Sequence, residues 1–211
     1  MTADPALDAP RLKPPGTYVH AAARWCVRPL VSTAVTPNHL TTLRLASGFA
    51  AAGAFALGAR PWDVVGGILF VLSAFLDRAD GELARISGKT SPGGHTYDLL
   101  SDAISNVIAF IAIGIGLSHG PLGASALVMG VIAGGAIAAI FWLVQLLENA
   151  GSAFSGAAGF DPDDALFIVG PAAWFGFLVP LLYAAAIAAP VFLVYALFKL
   201  RGRKGARDPQ R

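Results

Sequence analysis

"DRADGELARISGKTSPGGHTYDLLSD", Asp77 to Asp102, interrupts a chain that is otherwise largely apolar. It holds four aspartates, one glutamate, two arginines, a lysine and a histidine, with long apolar runs on both sides. Asp77 and Asp80 are three residues apart, and Asp98 and Asp102 are four apart. Each spacing places its pair on one face of an α-helix. A connector from Ser87 to Thr96 folds two such helices antiparallel, so all four carboxylates are predicted to meet in one cleft. Gly81 follows Asp80 directly, where the missing side chain lets a ligand approach the backbone. Ala84 keeps the next turn open.

The flanks decide what those two helices are. Of 211 residues, 55% are hydrophobic and only 13% charged. Mean hydropathy is +0.64. A soluble domain is about a quarter charged, so the excess apolar surface calls for lipid, and the fold class is an all-α integral membrane protein. A net charge of +2 gives no reason to expect a nucleic-acid partner. The single cysteine, Cys26, rules out an intrachain disulfide and a thiolate metal site.

Six transmembrane helices are predicted. The first runs from about Thr41 to Ala59, after the helix-start signal Thr36–Asn38. A second runs from Trp62 to Ile86, and a third from Gly94 to Leu117. A turn at Ser118–Pro121 leads to the fourth. The last 34 uncharged residues, Ala165–Phe198, are short for two more spans of ~20 residues each. Ahead of these, residues 1–16 are expected to form a disordered tail without the apolar core of a signal peptide. Residues 17–35 fit an amphipathic helix in the membrane interface, with Arg24 and Arg28 toward headgroups, or an ordinary linker helix. The membrane domain is then 17–200, followed by a basic tail, 201–211. Four Lys/Arg lie in residues 1–37 and six in 199–211. Under the positive-inside rule both termini are cytoplasmic, and so is the Asp77–Asp102 connector.

Ionised groups at a membrane are costly unless paired, hydrated or metal-bound. Four clustered acids repel one another, and divalent cations relieve that repulsion. Oxygen ligands without an accompanying His/Cys set select Mg²⁺, Mn²⁺ or Ca²⁺ over Zn²⁺. Two such ions side by side can clamp a phosphoryl group during in-line displacement. The competing reading is a salt-bridge network with Arg78, Arg85 and Lys89.

Asp77-x-x-Asp80-Gly81-x-x-Ala84-Arg85, eight residues, then Gly94-x-x-x-Asp98-x-x-x-Asp102 resembles the signature of the CDP-alcohol phosphotransferase (CDP-alcohol phosphatidyltransferase) family. All eight fixed positions match, and "TPNHLTTLRLASG" (Thr36–Gly48) resembles the family's entry into its first span. The resemblance implies a metal-dependent transfer, in phospholipid biosynthesis, from a CDP-alcohol to an acceptor hydroxyl with release of CMP. It implies two Mg²⁺ ions (or Mn²⁺) on Asp77, Asp80, Asp98 and Asp102, with Asp102 also the base. It places Gly81, Ala84 and Gly94 against the cytidine and diphosphate, with Asn38 and Thr41 as further nucleotide contacts. Arg85 neutralises phosphate or orients an aspartate. Arg44 either snorkels to the interface or binds phosphate. A homodimer rests on the resemblance alone.

The donor is taken as CDP-diacylglycerol, in the inner or plasma membrane. The alternative is a soluble CDP-alcohol, of the CDP-inositol or CDP-choline type, acting on a lipid or polyol. Glu148, Asp161, Asp163 and Asp164 around the fourth loop favour an uncharged or cationic acceptor unless Arg44, Arg78 or Lys89 reach the pocket. The "DGELAR" form of the motif points instead toward inositol compounds, so the acceptor stays open. Glu82 lies off the Asp77/Asp80 face and is expected to be solvated or paired, and His20, His39, His95 and His119 to sit in surface or loop positions. An ion-coupled transporter is the remote alternative; it requires polar residues continuing across the bilayer.

Overall fold

The computed structural model describes residues 17–149 and 162–205. The expected N-terminal tail (1–16), residues 150–161 of the acidic loop and the end of the basic tail (206–211) lie outside the described residues. Helices account for the architecture, and no strand occurs among the described residues. In chain order they are α1 (Tyr18–Val27), α2 (Pro37–Ala56), α3 (Arg60–Ser87), α4 (Pro92–Ser118), α5 (Ala124–Asn149), α6 (Val169–Phe175) and α7 (Leu178–Gly205). Short 3₁₀ stretches at Arg28–Leu30 and Pro162–Ile168 precede α2 and α6.

Local chemistry sets the ends of these helices. Pro37 opens α2 at its first turn, and the Thr36 backbone N–H donates to His39 Nδ1 at 3.2 Å. Gly88 ends α3 in the left-handed region (φ +67°), a conformation that favours glycine. The Ser91 hydroxyl then caps α4 by accepting from the Gly94 N–H at 3.0 Å. The connector between the two aspartate-bearing helices is thus shorter than the Ser87–Thr96 expectation, because this cap starts α4 at Pro92. The turn expected at Ser118–Pro121 is present between α4 and α5.

α2 packs on α3 and α4, α4 on α5, α5 on α7, and α3 on α6 and α1. The main core joins Ala51 and Phe55 of α2, Phe70 of α3, Phe110 and Ile113 of α4, Ala133 of α5, Ala173 of α6 and Leu182 of α7. Small residues allow the helices to approach closely. A Cβ on Gly114 would stand 2.6 Å from the Ala126 carbonyl oxygen, and one on Gly130 2.6 Å from that of Phe110. Such backbone contact replaces side-chain burial where lipid supplies no hydrophobic drive between helices.

Three described helical segments are long and apolar enough to cross a membrane: Gly93–Ser118, Ala124–Leu143 and Leu178–Phe198. α2 and α3 have 20 and 28 residues, and each carries part of the polar cluster. The segment expected to be a fifth span is broken differently. Its α-helical part, Val169–Phe175, is only 7 residues and stops at Gly176 (φ +80°). Between Gly176 and Pro190 the chain restarts as α7, and Pro190 is accommodated inside that helix.

Candidate active site

Antiparallel packing brings the start of α2, the end of α3 and the start of α4 to one end of the bundle. Asp77, Asp80 and Asp98 converge there: one oxygen from each carboxylate lies within 4.8 Å of the others. Three hard oxygen donors with no His or Cys among them suit Mg²⁺ or Mn²⁺ better than Zn²⁺. The donor set therefore fits the ions the sequence implies. Asp102 stands outside this trio but joins it through an arginine.

That arginine is Arg44. It does not snorkel outward; it is 1% exposed. Its Nη1 lies 2.6 Å from Asp77 Oδ1 and 2.8 Å from Asp98 Oδ1, and its Nη2 lies 2.7 Å from Asp102 Oδ1. One guanidinium thus ties three of the four aspartates together. Its own backbone is fixed as well, since the Ser47 and Ser73 hydroxyls donate to the Arg44 carbonyl at 2.8 and 3.0 Å. Arg78 closes the other side by binding Asp77 Oδ2. Asn106 Nδ2 donates to Asp102 Oδ1 at 2.9 Å and so fixes the carboxylate's rotation.

Thr41 is also buried, and its hydroxyl donates to Asp80 Oδ2 at 2.7 Å. It thereby orients an aspartate of the cluster. Gly94 and Asn38 do come together, because a Cβ on Gly94 would meet Asn38 Oδ1 at 2.8 Å. Gly81 faces free space: a Cβ there meets nothing within 4 Å. Ala84, on the same stretch of α3, is partly exposed. A small, partly open cleft lies beside the aspartates. Arg44, Arg78, Ser73, Asp77, Asp102, Ser105 and Asn106 supply its polar wall, and Phe70, Ala74 and Leu166 its apolar one. The Ser105 hydroxyl is buried without a hydrogen-bond partner.

A second polar cluster sits one turn further along α3. Glu82 is fully buried and paired. It binds His20 Nδ1 at 3.1 Å, accepts from Arg24 Nε at 2.6 Å and accepts from Arg85 Nη1 at 2.5 Å. Ala23 and Val27 pack below it on Ala79 and Leu83. Arg24 therefore points into the protein and not to headgroups, His20 is an interior partner and not a surface residue, and Arg85 is held by Glu82. The helical period of residues 17–35 gave no signal for this, because Glu82 is far away in sequence. Lys89 is similarly occupied, its Nζ donating to the carbonyls of Val31, Thr33 and Val35 at 3.3, 2.8 and 3.1 Å.

Removing Glu82's charge leaves two arginines and a histidine packed around a neutral group. Breaking a buried pair by deleting one partner costs about 3 kcal/mol or more. Glu82→Gln is therefore expected to lower the melting temperature and to expose α1 to trypsin at Arg24. Unchanged melting and protease resistance would show that the cluster does not hold α1 in place.

Comparison with known proteins agrees with this arrangement. The chain is similar to the archaetidylinositol phosphate synthase of Pyrococcus horikoshii, 34% identical over 87 residues. That match covers 41% of this chain and 45% of the relative's length, so the chain matches less than half of it. The sequence model of the CDP-alcohol phosphatidyltransferases matches residues 34–200, from just before α2 into α7. With that extent, the chain belongs to the CDP-alcohol phosphatidyltransferase family.

Proposed function

We propose that this protein transfers a phosphatidyl group from a CDP-linked lipid of the CDP-diacylglycerol type to the hydroxyl of a polyol, releasing CMP. The family is metal-dependent and joins a CDP-alcohol donor to an acceptor alcohol in lipid synthesis. The carrying observation is the convergence of Asp77, Asp80 and Asp98 beside a cleft into which Asp102 also faces.

Asp77, Asp80 and Asp98 would hold a first divalent ion, and Asp102 would help hold a second. Such ions would supply positive charge against the diphosphate and the departing CMP. Thr41 keeps Asp80 in its ligating rotamer, and Asn106 does the same for Asp102. The acceptor hydroxyl gives its proton to Asp102. Its oxygen then bonds to the β-phosphorus, the bond from that phosphorus to the CMP oxygen breaks, and the electron pair leaves with CMP. Gly81, Gly94 and Ala84 leave room for the nucleotide, and Asn38 borders it.

The cleft suits a hydroxyl-rich acceptor. Ser73 and Asn106 on its polar wall are of the kind that hydrogen-bond to hydroxyls. Arg44 and Arg78 also reach this cleft, which permits a phosphate on the acceptor. The relative's name, a synthase of archaetidylinositol phosphate, supports the same choice. A transporter fits poorly. The described buried polar residues lie on α2, α3 and α4, and none lies on α5, α6 or α7. They do not form a polar path along the later helices.

Six crossings require the apolar stretch Ala165–Phe175 to serve as the fifth, and its 11 residues are short for the ~30 Å hydrocarbon core. Both termini and the aspartates then lie on the cytoplasmic side. α1 lies in that interface with Tyr18 and Trp25 exposed, as interfacial aromatics are. The catalytic unit is residues 17–200, and two copies associate in the membrane.

The test is CMP release from CDP-diacylglycerol with a panel of acceptors: inositol, inositol phosphate, glycerol phosphate and serine. Soluble CDP-alcohols serve as the alternative donors. Release dependent on a polyol acceptor is expected. Release only from a soluble CDP-alcohol would reverse the donor assignment, and none from any pair would remove the reading.

A further inference from the structure

Asp77 differs from the two carboxylates with which it converges. Asp80 engages Thr41 through Oδ2, and Asp98 engages Arg44 through Oδ1. Asp77 has both oxygens held by guanidinium groups, Oδ1 by Arg44 and Oδ2 by Arg78. The Arg44 and Arg78 side chains are 1% and 10% exposed, so water screens these contacts little. A divalent ion on Asp77 would stand close to a guanidinium. Like charges so close and so little screened repel each other, so guanidinium contact and ion contact at Asp77 oppose one another.

We propose that Arg44 and Arg78 compete with the divalent ion for Asp77, and that a phosphate-bearing ligand tightens ion binding by drawing these guanidinium groups to itself. Guanidinium pairs with phosphate at least as well as with carboxylate, through the same two-pronged geometry. A phosphate in the cleft, which Arg44 and Arg78 both line, offers them such a partner and leaves Asp77 to the metal. Ion and substrate then bind with positive coupling, which linkage makes reciprocal. The arginines hold the acidic cleft together until substrate arrives. The inference rests on the metal site proposed above. The phosphate can belong to the donor or to the acceptor.

The experiment measures Mn²⁺ affinity of the full chain in detergent micelles, from the free-Mn²⁺ signal in electron paramagnetic resonance. It is run with Mn²⁺ alone, with CMP and with an inositol phosphate. Arg78→Met is expected to bind Mn²⁺ alone about tenfold more tightly than wild type, since one strong charge-assisted contact to Asp77 is gone. Arg60→Met removes the same charge from the far end of the same helix, where it bonds the Trp174 carbonyl, and is expected to leave Mn²⁺ affinity unchanged. In wild type, one phosphate ligand should raise Mn²⁺ affinity by about fivefold or more. That gain should shrink in Arg78→Met, and the ligand producing it identifies the source of the phosphate. Equal Mn²⁺ affinity in wild type, Arg78→Met and Arg60→Met would overturn the competition. A full ligand-induced gain retained in Arg78→Met would overturn the handover. Wild type that binds no Mn²⁺ would strike down the metal site itself.

Discussion

Asp102→Asn is expected to reduce CMP release by about 10²–10⁴-fold, the usual worth of a positioned general base. An amide oxygen still accepts from Asn106 Nδ2, 2.9 Å from Asp102 Oδ1, and keeps a polar atom beside Arg44 Nη2, 2.7 Å away. The network therefore survives while the basic oxygen is lost. Asp77, Asp80 and Asp98 remain to hold metal, so metal-dependent retention of the CDP-linked donor should persist. The checking pair of measurements is single-turnover CMP release and donor binding on the purified variant. Full turnover would remove Asp102 from the reaction. Lost donor binding would make it a ligand first and a base second.

Excess EDTA is expected to abolish CMP release, and Mg²⁺ or Mn²⁺ to restore it. At 4.8 Å, two carboxylates repel by about 3 kcal/mol even at an effective dielectric of 20. Arg44 and Arg78 together offset two of the four negative charges around the cleft. The donor's diphosphate adds more negative charge, so substrate binding without divalent ions would make the imbalance worse. Metal removal should therefore weaken donor binding as well as stop turnover, and the melting temperature should rise again when Mg²⁺ is added back. Undiminished CMP release in excess EDTA would end the metal-dependent reading for this chain.

Much of this could be read along the chain because it depends on neighbours in sequence. The spacings Asp77–Asp80 and Asp98–Asp102 follow helical period, and the Gly88 and Ser91 caps follow local turn chemistry. An apolar run announces a lipid-exposed helix whatever it packs against. The length of the fifth helix was harder, since Gly176 and three prolines allow several breaks, and tertiary contacts choose among them.

Sequence alone determined the helical class, the pairing of aspartates on two adjacent helices, the motif that carries the family and the residues offered to metal. It left Arg44 and Glu82 undecided, since a charge in an apolar span reads the same whether it snorkels or is buried. Tertiary structure decided both. Arg44 meets Asp98 across 54 positions, and Glu82 meets Arg24 and His20 across 58 and 62. Periodicity carries no information over such distances. What selects these partners is the cost of burying an unpaired charge, which arises only once the helices have packed.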